Sequence, residues 1–273
     1  MRLIKRAAES AGLGPRGGLA SGVDTIGDIA IVRIEEAKAS EKKRIAAAIL
    51  EETKAVRCVF EQEGGIGGEF RLRRLRHLAG EDRTLTTHRE NGCSYKVDVA
   101  RCYFSPRLST ERLRVVEAAG MGEAVLNMFA GVGPFSVLFA RKKKARVLSC
   151  ELSEYACELH EENDRANSVD RLVKVVNADA MALPRLTKLR FDRILMPHPS
   201  LADRFLPAAL SLAKRGAIIH YYRHVLGRNE GEAAENLMRE LARLLPEGAS
   251  YEVQRVREVG PRWLEMAADI TLP

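Results

Sequence analysis

Residues 123–151, EAVLNMFAGVGPFSVLFARKKKARVLSCE, decide the fold. The apolar run EAVLNMF predicts a strand, AGVGPF a tight glycine turn, FSVLFARK a helix and RVLSCEL a second strand. A strand, a helix and a further strand in this order form the repeating unit of a parallel sheet that carries helices on its faces. The segment therefore predicts a doubly wound α/β domain.

The same alternation continues downstream of this segment. LVKVVNAD, FDRILMP and GAIIHYY predict three more strands, and YEVQRVREVG and WLEMAADITL a final pair, so residues 109–273 are predicted to form a Rossmann-like domain. Residues 23–108 combine short β-like runs with the helical run ASEKKRIAAAILEET and predict a smaller α+β domain for RNA or substrate binding. Residues 1–22 contain LGPRGGLASG, which predicts a flexible N-terminal arm.

Composition places the chain among folded proteins with a substantial core, since 46% of its 273 residues are hydrophobic and 30% are charged. No apolar run approaches the roughly 18 residues that a membrane span needs, and the N-terminus lacks the apolar stretch of a secretory signal. We therefore expect a cytoplasmic protein that binds no membrane and no metal. The scattered cysteines include no CxxC pair and favour neither a zinc cage nor a disulfide framework: Cys58, Cys93, Cys102, Cys150 and Cys157.

Positive charge is concentrated in the first part of the chain. Residues 1–115 hold 22 basic and 16 acidic residues, whereas the remainder holds 22 and 21. A basic module joined to a nearly neutral one favours binding of a polyanion by the first and a separate activity in the second. A surface rich in Arg, Lys and Glu, of the kind found in thermophilic proteins, is the alternative interpretation.

The glycine turn indicates the class of ligand. Gly131 and Gly133 allow the backbone to turn sharply and to approach a ligand closely. Glu151 ends the next strand, where a carboxylate can accept both ribose hydroxyls of a nucleoside, and Asp179 ends the third strand, within reach of an adenine amino group. The turn lacks the third glycine of a dinucleotide fingerprint and has Pro134–Phe135 instead, and no phosphate-loop GK[ST] follows. We expect a nucleoside without a pyrophosphate, such as S-adenosylmethionine, rather than NAD or ATP; a plain turn without a ligand is the alternative.

Three blocks of sequence, HRENG, YFSPRLSTER and FAGVGPF, together carry a family resemblance. They resemble the archaeal and eukaryotic tRNA (guanine-N1)-methyltransferases, which modify the guanosine just 3′ of the anticodon. The resemblance extends from about Ile26 to the C-terminus and implies methyl transfer from S-adenosylmethionine to tRNA, by a chain that we expect to be a monomer. A sister family, similar in the same blocks, transfers the aminocarboxypropyl group of that cofactor during wybutosine synthesis. A tRNA-binding protein without catalysis is a third hypothesis.

The resemblance also implies roles for individual residues. Glu111 of the SPRLSTER block is similar to the general base for the guanine N1 proton, and Arg71 of the GEFR segment to the group that steadies guanine O6. Tyr103 and Arg107, in the block CYFSPR, are implied as substrate contacts. Cofactor contacts are implied for Glu151, for Asp179 and for the turn residues Phe129, Ala130, Gly131, Val132 and Gly133.

Those residue types suit the chemistry. Guanine N1 carries a proton and is a poor nucleophile, so a carboxylate that accepts this proton is required, and such transfer typically contributes about 10²–10⁴-fold to the rate. A guanidinium directed at O6 stabilises the charge that develops there. By residue pattern alone, Glu111 is also typical of a first-turn helix glutamate, and Arg71 of a phosphate-contacting or solvent-facing arginine in the run RLRRLR.

Two features depart from the family pattern. The fourth strand of the family ends in an Asn-Leu-Pro or Asn-Pro-Pro motif whose Asn helps to hold the target base, whereas this chain reads LMPHPSLADRF. Pro197 occupies the Asn position and has no side-chain amide; His198, which follows it, is the candidate substitute. Family members commonly carry an extra N-terminal domain, and only about 25 residues precede IGDIAIV here, so we expect that domain to be missing.

Overall fold

The computed structural model describes residues 2–13, 22–34, 37–68 and 70–273. The chain divides into two compact units, Met1–Ser109 and Thr110–Pro273, called here the N-terminal and the C-terminal unit. Each has its own sheet and its own buried apolar residues. Within the described ranges, no helix combines the length and the apolar composition needed to cross a bilayer.

The N-terminal unit is built on a four-stranded sheet with the strand order β1-β2-β3-β4. Strands β1 and β2 are antiparallel, β2 and β3 are parallel and connected through α2, and β3 and β4 are antiparallel. A separate hairpin, β5-β6, follows. The elements are α1 Arg2–Ser10, β1 Gly22–Ile26, β2 Ile29–Arg33, α2 Ala39–Glu52, β3 Cys58–Gln62, β4 Leu75–Gly80, β5 Leu85–Glu90, β6 Cys93–Asp98 and a 3-10 turn Pro106–Leu108.

Helix α1 corrects the prediction of a flexible arm over residues 1–22. Its Ile4, Ala7 and Ala8 recur at the spacing of one helix face and are buried in the same core as Ile45 and Ile49 of α2. Burial of an isoleucine side chain contributes roughly 1.5–3 kcal/mol, enough to hold a short helix in place. The glycine-rich stretch of that prediction, residues 14–21, lies outside the described residues.

The β5-β6 hairpin has a two-residue turn that its sequence dictates. Asn91 and Gly92 have φ values of 49° and 77°, and two successive left-handed residues form the turn whose twist matches paired strands. Glu90 and Cys93 close the ladder on either side of the turn. The HRENG block thus supplies the end of a strand and the turn that follows it.

The C-terminal unit is a seven-stranded sheet with the strand order β12-β13-β11-β10-β7-β8-β9. All of these strands run parallel except β13, which is antiparallel to both of its neighbours. The elements are α3 Ser109–Glu117, β7 Ala124–Asn127, α4 Pro134–Lys143, β8 Arg146–Glu151, α5 Glu154–Ala166, β9 Val173–Asn177, a 3-10 turn Ala180–Ala182, α6 Leu183–Leu186, β10 Phe191–Met196, α7 Ala202–Leu212, β11 Ala213–Leu226, α8 Glu230–Leu244, β12 Ser250–Gly260 and β13 Trp263–Thr271.

The strand order determines where a ligand can bind. Strand β7 lies between β10 and β8, so the helices that follow neighbouring strands leave on opposite faces of the sheet. A crevice therefore opens at the carboxyl ends of these strands, the usual ligand position in open α/β sheets. The predicted Rossmann-like domain with a smaller N-terminal α+β domain is confirmed.

Candidate active site

The glycine turn after β7 is fixed by backbone hydrogen bonds to both neighbouring strands. The Met128 N–H donates to the Leu195 carbonyl of β10 at 3.0 Å, and the Ala130 N–H donates to the Cys150 carbonyl of β8 at 2.9 Å. Gly133 then begins α4 with a φ of 87°, a conformation that disfavours any residue with a side chain. The turn is thus held rigidly at the crevice before any ligand is considered.

Helix α5 packs against this glycine turn. A Cβ atom at Gly133 would lie 2.3 Å from Cδ2 of the buried His160 ring. One turn along the same helix face, Asn163 Nδ2 donates to the Val132 carbonyl at 2.9 Å. Burial lowers the pKa of His160 to about 3, so the ring is neutral. Gly133 is therefore required twice, for its φ and for the space that His160 fills.

Glu151 at the end of β8 is oriented by the turn itself. Its Oε2 accepts the Gly131 N–H at 2.8 Å, and its Oε1 accepts the Ser153 N–H at 2.9 Å. A carboxylate has about four lone-pair sites, so each oxygen keeps one for a further donor. The predicted ribose acceptor is thus brought against the predicted glycine turn, with its outer lone pairs free to accept hydroxyl groups.

Asp179 lies on the neighbouring strand end. Glu151 and Asn177 are paired across β8 and β9, and Asp179 follows two residues later, exposed, with Oδ1 accepting the Met181 N–H at 2.9 Å. Two large apolar side chains are exposed beside these acids, Leu152 at 42% and Met181 at 40%. Apolar side chains next to an acidic pair suit a flat heterocycle that is attached to a ribose.

The loop after β10 contacts the glycine turn through aromatic rings. The His198 ring lies 5.1 Å from that of Phe129, and the Phe205 ring of α7 meets Phe129 edge-on at 4.9 Å. Pro197 is half-buried in this loop. The structure thus places the LMPHPS loop beside the predicted cofactor turn.

Glu111, in the first turn of α3, is nearly buried, with 10% of its side chain exposed. Arg114 donates to both carboxylate oxygens, from Nε to Oε2 at 2.9 Å and from Nη2 to Oε1 at 2.8 Å. The Tyr222 hydroxyl of β11 donates to Oε1 at 2.7 Å. The helix-dipole interpretation of Glu111 is incomplete, because this carboxylate has two specific side-chain partners.

A chain of charged groups continues from Arg114 into the sheet. Arg114 Nη1 donates to Asp269 Oδ2 at 2.5 Å, and Asp269 Oδ1 lies 2.6 Å from His220 Nδ1. His220 Nε2 is 2.7 Å from Arg193 Nη1, which can only donate, so the imidazole carries its proton on Nδ1. Burial works to raise the pKa of Asp269, but hydrogen bonds from His220 and Arg114 outweigh burial and hold that pKa well below its usual range.

The N-terminal unit brings two more of the predicted residues together. The Arg71 guanidinium lies over the Tyr103 ring, 4.5 Å from its centroid. Arg71 has a φ of 53° in a tight turn, uncommon for a residue other than glycine, and Gly67 and Leu72 close this turn by mutual hydrogen bonds of 3.2 and 3.0 Å. Such an outlier supports a functional role. Arg107 is half-exposed and donates to Asp24 Oδ1 at 2.6 Å.

Comparison with known proteins decides the family. Residues 86–252 match the family described as TRM5/TYW2 methyltransferase domain, and residues 16–84 match the TYW2 N-terminal domain.

The chain belongs to the TRM5/TYW2 methyltransferase family.

The predicted family resemblance is therefore confirmed. A relative from Pyrococcus abyssi, named tRNA (guanine(37)-N(1))-methyltransferase Trm5b, is 44% identical over 204 residues, covering 75% of this chain and 60% of the relative. A relative from Saccharolobus solfataricus, named tRNA 4-demethylwyosine(37)-methyltransferase Taw21, is 33% identical over 251 residues, covering 91% of this chain and 92% of the relative.

A solved structure, Methanocaldococcus jannaschii Trm5 in complex with adenosine, superposes with a TM-score of 0.79 at 30% identity and covers 93% of this chain and 75% of that one. An adenosine ligand in a TRM5 protein agrees with the nucleoside cofactor predicted from the glycine turn. The chain spans 60% and 57% of the length of the two Trm5b relatives it matches, from P. abyssi and M. jannaschii.

Several residues of the candidate site were missed by the sequence analysis. Some of them lie within three residues of a predicted residue and others come from distant parts of the chain, and no motif marks them: Leu152, His160, Asn163, Met181, Phe205, Arg114, Tyr222, His220 and Asp269. Only Arg114 carried a local signal, because Glu111 and Arg114 are three residues apart on one helix face. The thiols beside the site are not nucleophiles, because burial raises the pKa of Cys150 and of Cys157 to about 12.

Proposed function

We propose that this chain transfers the methyl group of S-adenosylmethionine to N1 of the guanosine 3′ of the anticodon in tRNA. The observation that carries the proposal is the Glu151 carboxylate fixed on the Gly131 N–H, at 2.8 Å, inside the glycine turn of a methyltransferase domain. The substrate follows from the relative named tRNA (guanine(37)-N(1))-methyltransferase, 44% identical to this chain.

The side chains at the crevice fit S-adenosylmethionine. Gly131 and Gly133 have φ values of 54° and 87°, a conformation that turns the backbone sharply at the crevice, where the methionine part of the cofactor would lie. The outer lone pairs of Glu151 would accept the ribose hydroxyls, and the exposed Leu152 and Met181 would contact the adenine ring. When bound, the cofactor supplies an electrophilic methyl group on a sulfonium that is itself the leaving group.

Glu111 is proposed as the general base. Its two donors, Arg114 and Tyr222, fix the orientation of the carboxylate that would accept the proton. Accepting the N1 proton leaves the electron pair of the N1–H bond on N1, where the bond to the methyl carbon forms. For Arg71 we retain the role implied by the resemblance, that of steadying the charge on O6; its stacking on Tyr103 fixes the guanidinium for that purpose.

The partner in this proposal is tRNA, bound by a monomeric chain in the cytoplasm. The basic excess in residues 1–115 supplies phosphate contacts. In the N-terminal unit, Arg89 and Lys96 line one groove, together with an ion pair of Arg83 and Asp28. The five cysteines are free thiols, which suits a reducing compartment.

Two observations favour a second candidate, a transferase that acts on the wybutosine precursor at the same position. The chain covers 92% of the relative named tRNA 4-demethylwyosine(37)-methyltransferase, and residues 16–84 match a TYW2 N-terminal domain. Pro197, in place of the family Asn, is also consistent with a different base in the pocket. Within this candidate, either the methyl or the aminocarboxypropyl group of the cofactor would be transferred.

Nucleoside mass analysis tests both candidates. Unmodified tRNA transcripts and tRNA that carries 4-demethylwyosine are incubated with S-adenosylmethionine labelled in the methyl group or in the aminocarboxypropyl group. Methyl label on guanosine supports the first candidate. Methyl or aminocarboxypropyl label on 4-demethylwyosine alone supports the second. Absence of label from every tRNA, under conditions in which calorimetry shows cofactor binding, contradicts both.

A further inference from the structure

Two adjacent tyrosines of β11 make equivalent contacts on opposite faces of the sheet. Both are buried, Tyr221 at 0% and Tyr222 at 2% exposure. The Tyr221 hydroxyl donates to Oε1 of Glu240 at 2.8 Å, and the Tyr222 hydroxyl donates to Oε1 of Glu111 at 2.7 Å. Neighbouring residues of a strand point to opposite faces, so only Tyr222 faces the proposed general base.

The hydrogen bonds distinguish the two oxygens of Glu111. Oε1 accepts two donors, Arg114 Nη2 at 2.8 Å and the Tyr222 hydroxyl at 2.7 Å, whereas Oε2 accepts only Arg114 Nε at 2.9 Å. A carboxylate oxygen offers about two lone-pair sites. Within the C-terminal unit, Oε1 is therefore saturated and Oε2 keeps one site open.

The charges behind Glu111 remain balanced when it is protonated. Arg114 is shared between Glu111 and Asp269, and it donates to both oxygens of Asp269, at 2.5 and 3.2 Å. If Glu111 loses its charge, Arg114 still faces one carboxylate. An uncompensated guanidinium that is only partly exposed, which is costly, is thereby avoided.

The other titratable groups near Glu111 are held in one protonation state. Burial, reinforced by the charge of Glu111, raises the pKa of Tyr222 far above its ordinary value, so the phenol remains a donor. Burial also lowers the pKa of His220, although Asp269 acts in the opposite direction, and its Nε2 faces Arg193.

We propose that Tyr222 is a positioning residue that, together with Arg114, saturates Oε1 of Glu111 and directs the guanine N1 proton to Oε2. The inference rests on the proposed function of Glu111 as the base. In the step, the N1–H bond breaks and its electron pair forms the bond to the methyl carbon. The O–H bond forms at Oε2, and the pair of the broken sulfur–methyl bond returns to sulfur.

The chain offers a matched pair of variants for the test. Tyr222→Phe and Tyr221→Phe each remove one buried hydroxyl that donates to a glutamate also paired with an arginine, Arg114 in the first case and Arg223 in the second. A purely structural role predicts similar effects on thermal unfolding and on the rate for both variants. Single-turnover methylation rates are measured from pH 5 to pH 9 for the full chain and for both variants, with saturating cofactor and tRNA.

We expect the profile of Tyr222→Phe to lie about tenfold below that of the unmodified chain, because Oε1 then has an open lone pair that competes with Oε2 for the proton. The Tyr221→Phe profile should coincide with that of the unmodified chain. Coincidence of all three profiles overturns the inference. If Tyr222→Phe fails to fold, Arg114→Lys is measured in its place. The lysine keeps the positive charge but contacts only one oxygen of Glu111. A rate profile equal to that of the unmodified chain then overturns the inference.

Glu111→Gln separates this inference from the proposed function. A wild-type rate in Glu111→Gln removes the general base, and with it both the proposed role of Glu111 and the inference. Alternatively, the Glu111→Gln rate falls at least about 100-fold while both tyrosine variants keep the profile of the unmodified chain. That result leaves Glu111 as the base and overturns only the role of Tyr222.

Discussion

The His160 ring occupies the space that a side chain at Gly133 would need, with Cδ2 2.3 Å from the position of the missing Cβ. Gly133 also has a φ of 87°. Gly133→Ala should therefore displace the turn or the helix below it, at a cost of about 1–3 kcal/mol in stability, and should abolish detectable cofactor binding in calorimetry. Gly92 also lies in a left-handed turn, but a Cβ atom there would have no neighbouring atom within 4 Å. Gly92→Ala is therefore the control for backbone strain alone and should retain cofactor binding. Wild-type affinity in Gly133→Ala would show that the turn does not hold the cofactor.

Glu151→Ala removes the proposed ribose acceptor and frees the Gly131 N–H. A charge-assisted contact is worth roughly 1.5–3 kcal/mol, so the dissociation constant for S-adenosylmethionine should rise about 10- to 100-fold. Glu158→Ala, on the exposed face of the next helix, should bind as the unmodified chain does. Equal affinities for the two variants in calorimetry would contradict the assignment of Glu151.

Asp164 predicts an unusual dependence of stability on pH. Burial, with added repulsion from Glu161 and Asp170, raises its pKa from 3.8 to about 7. The folded state thus holds this proton more tightly than the unfolded state does, so stability falls as the pH rises from about 4 through about 7. Asp164→Asn should remove that decline and should be more stable than the unmodified chain at pH 8, by a few kcal/mol.

Urea unfolding at pH 5 and pH 8 checks this prediction. Glu158→Gln, at an exposed acid on the same helix, is the control and should keep the decline. The assignment to Asp164 fails if the Asp164→Asn variant loses as much stability between the two pH values as the unmodified chain does.

His198 is predicted to act through its ring, because the ring lies 5.1 Å from Phe129 beside the glycine turn. His198→Ala should lower the turnover number more than Ser200→Ala, since Ser200 is exposed. His198→Phe keeps the stacking surface and loses the ring nitrogens, so an intermediate rate would assign part of the effect to stacking.

Pro197→Asn should be tolerated or should raise methyl transfer to guanosine. Steady-state kinetics in which His198→Ala matches the unmodified chain and Pro197→Asn is inactive would reject this view of the loop.

Affinity for tRNA should fall steeply with salt, because phosphate contacts release counterions. Arg89 is exposed on the groove of the N-terminal unit, and Arg89→Gln should reduce the slope of log affinity against log salt by about one. Arg243→Gln, exposed on α8 of the C-terminal unit, removes the same charge and should leave the slope unchanged. Filter binding at several salt concentrations measures both, and equal slopes would reject the proposed division of labour.

The fold was largely predictable, because its signals are local. The sequence signals for β7 and α4 are an apolar run, a glycine turn and a helical run that follow one another directly. Glu151 comes at the end of the next strand. Helix α1 was missed although Ile4, Ala7 and Ala8 have helical spacing, because the glycine-rich stretch that follows gave a stronger signal for an unstructured arm.

The support of the site could not be predicted in the same way. Tyr222 and Glu111 are 111 positions apart, and Arg114 and Asp269 are 155 apart. Such contacts depend on how β11 and β13 are aligned in the sheet, and no local sequence pattern predicts that alignment. Arg71 shows the reverse case: it precedes strand β4, which begins only at Leu75, and its left-handed turn uses a non-glycine residue that gives no signal in the sequence.

The position of β13 has a consequence for how the C-terminal unit is assembled. Strand β13 lies between β11 and β12, although it follows both in the chain. Until residues 263–271 are synthesised and inserted, the largely buried strand β11 presents an unpaired edge to other molecules. Folding of this unit therefore cannot be completed in the order of translation, and a nascent or heat-opened chain exposes a template for aggregation at that edge. Irreversible loss of the folded chain on heating should begin with the release of β13.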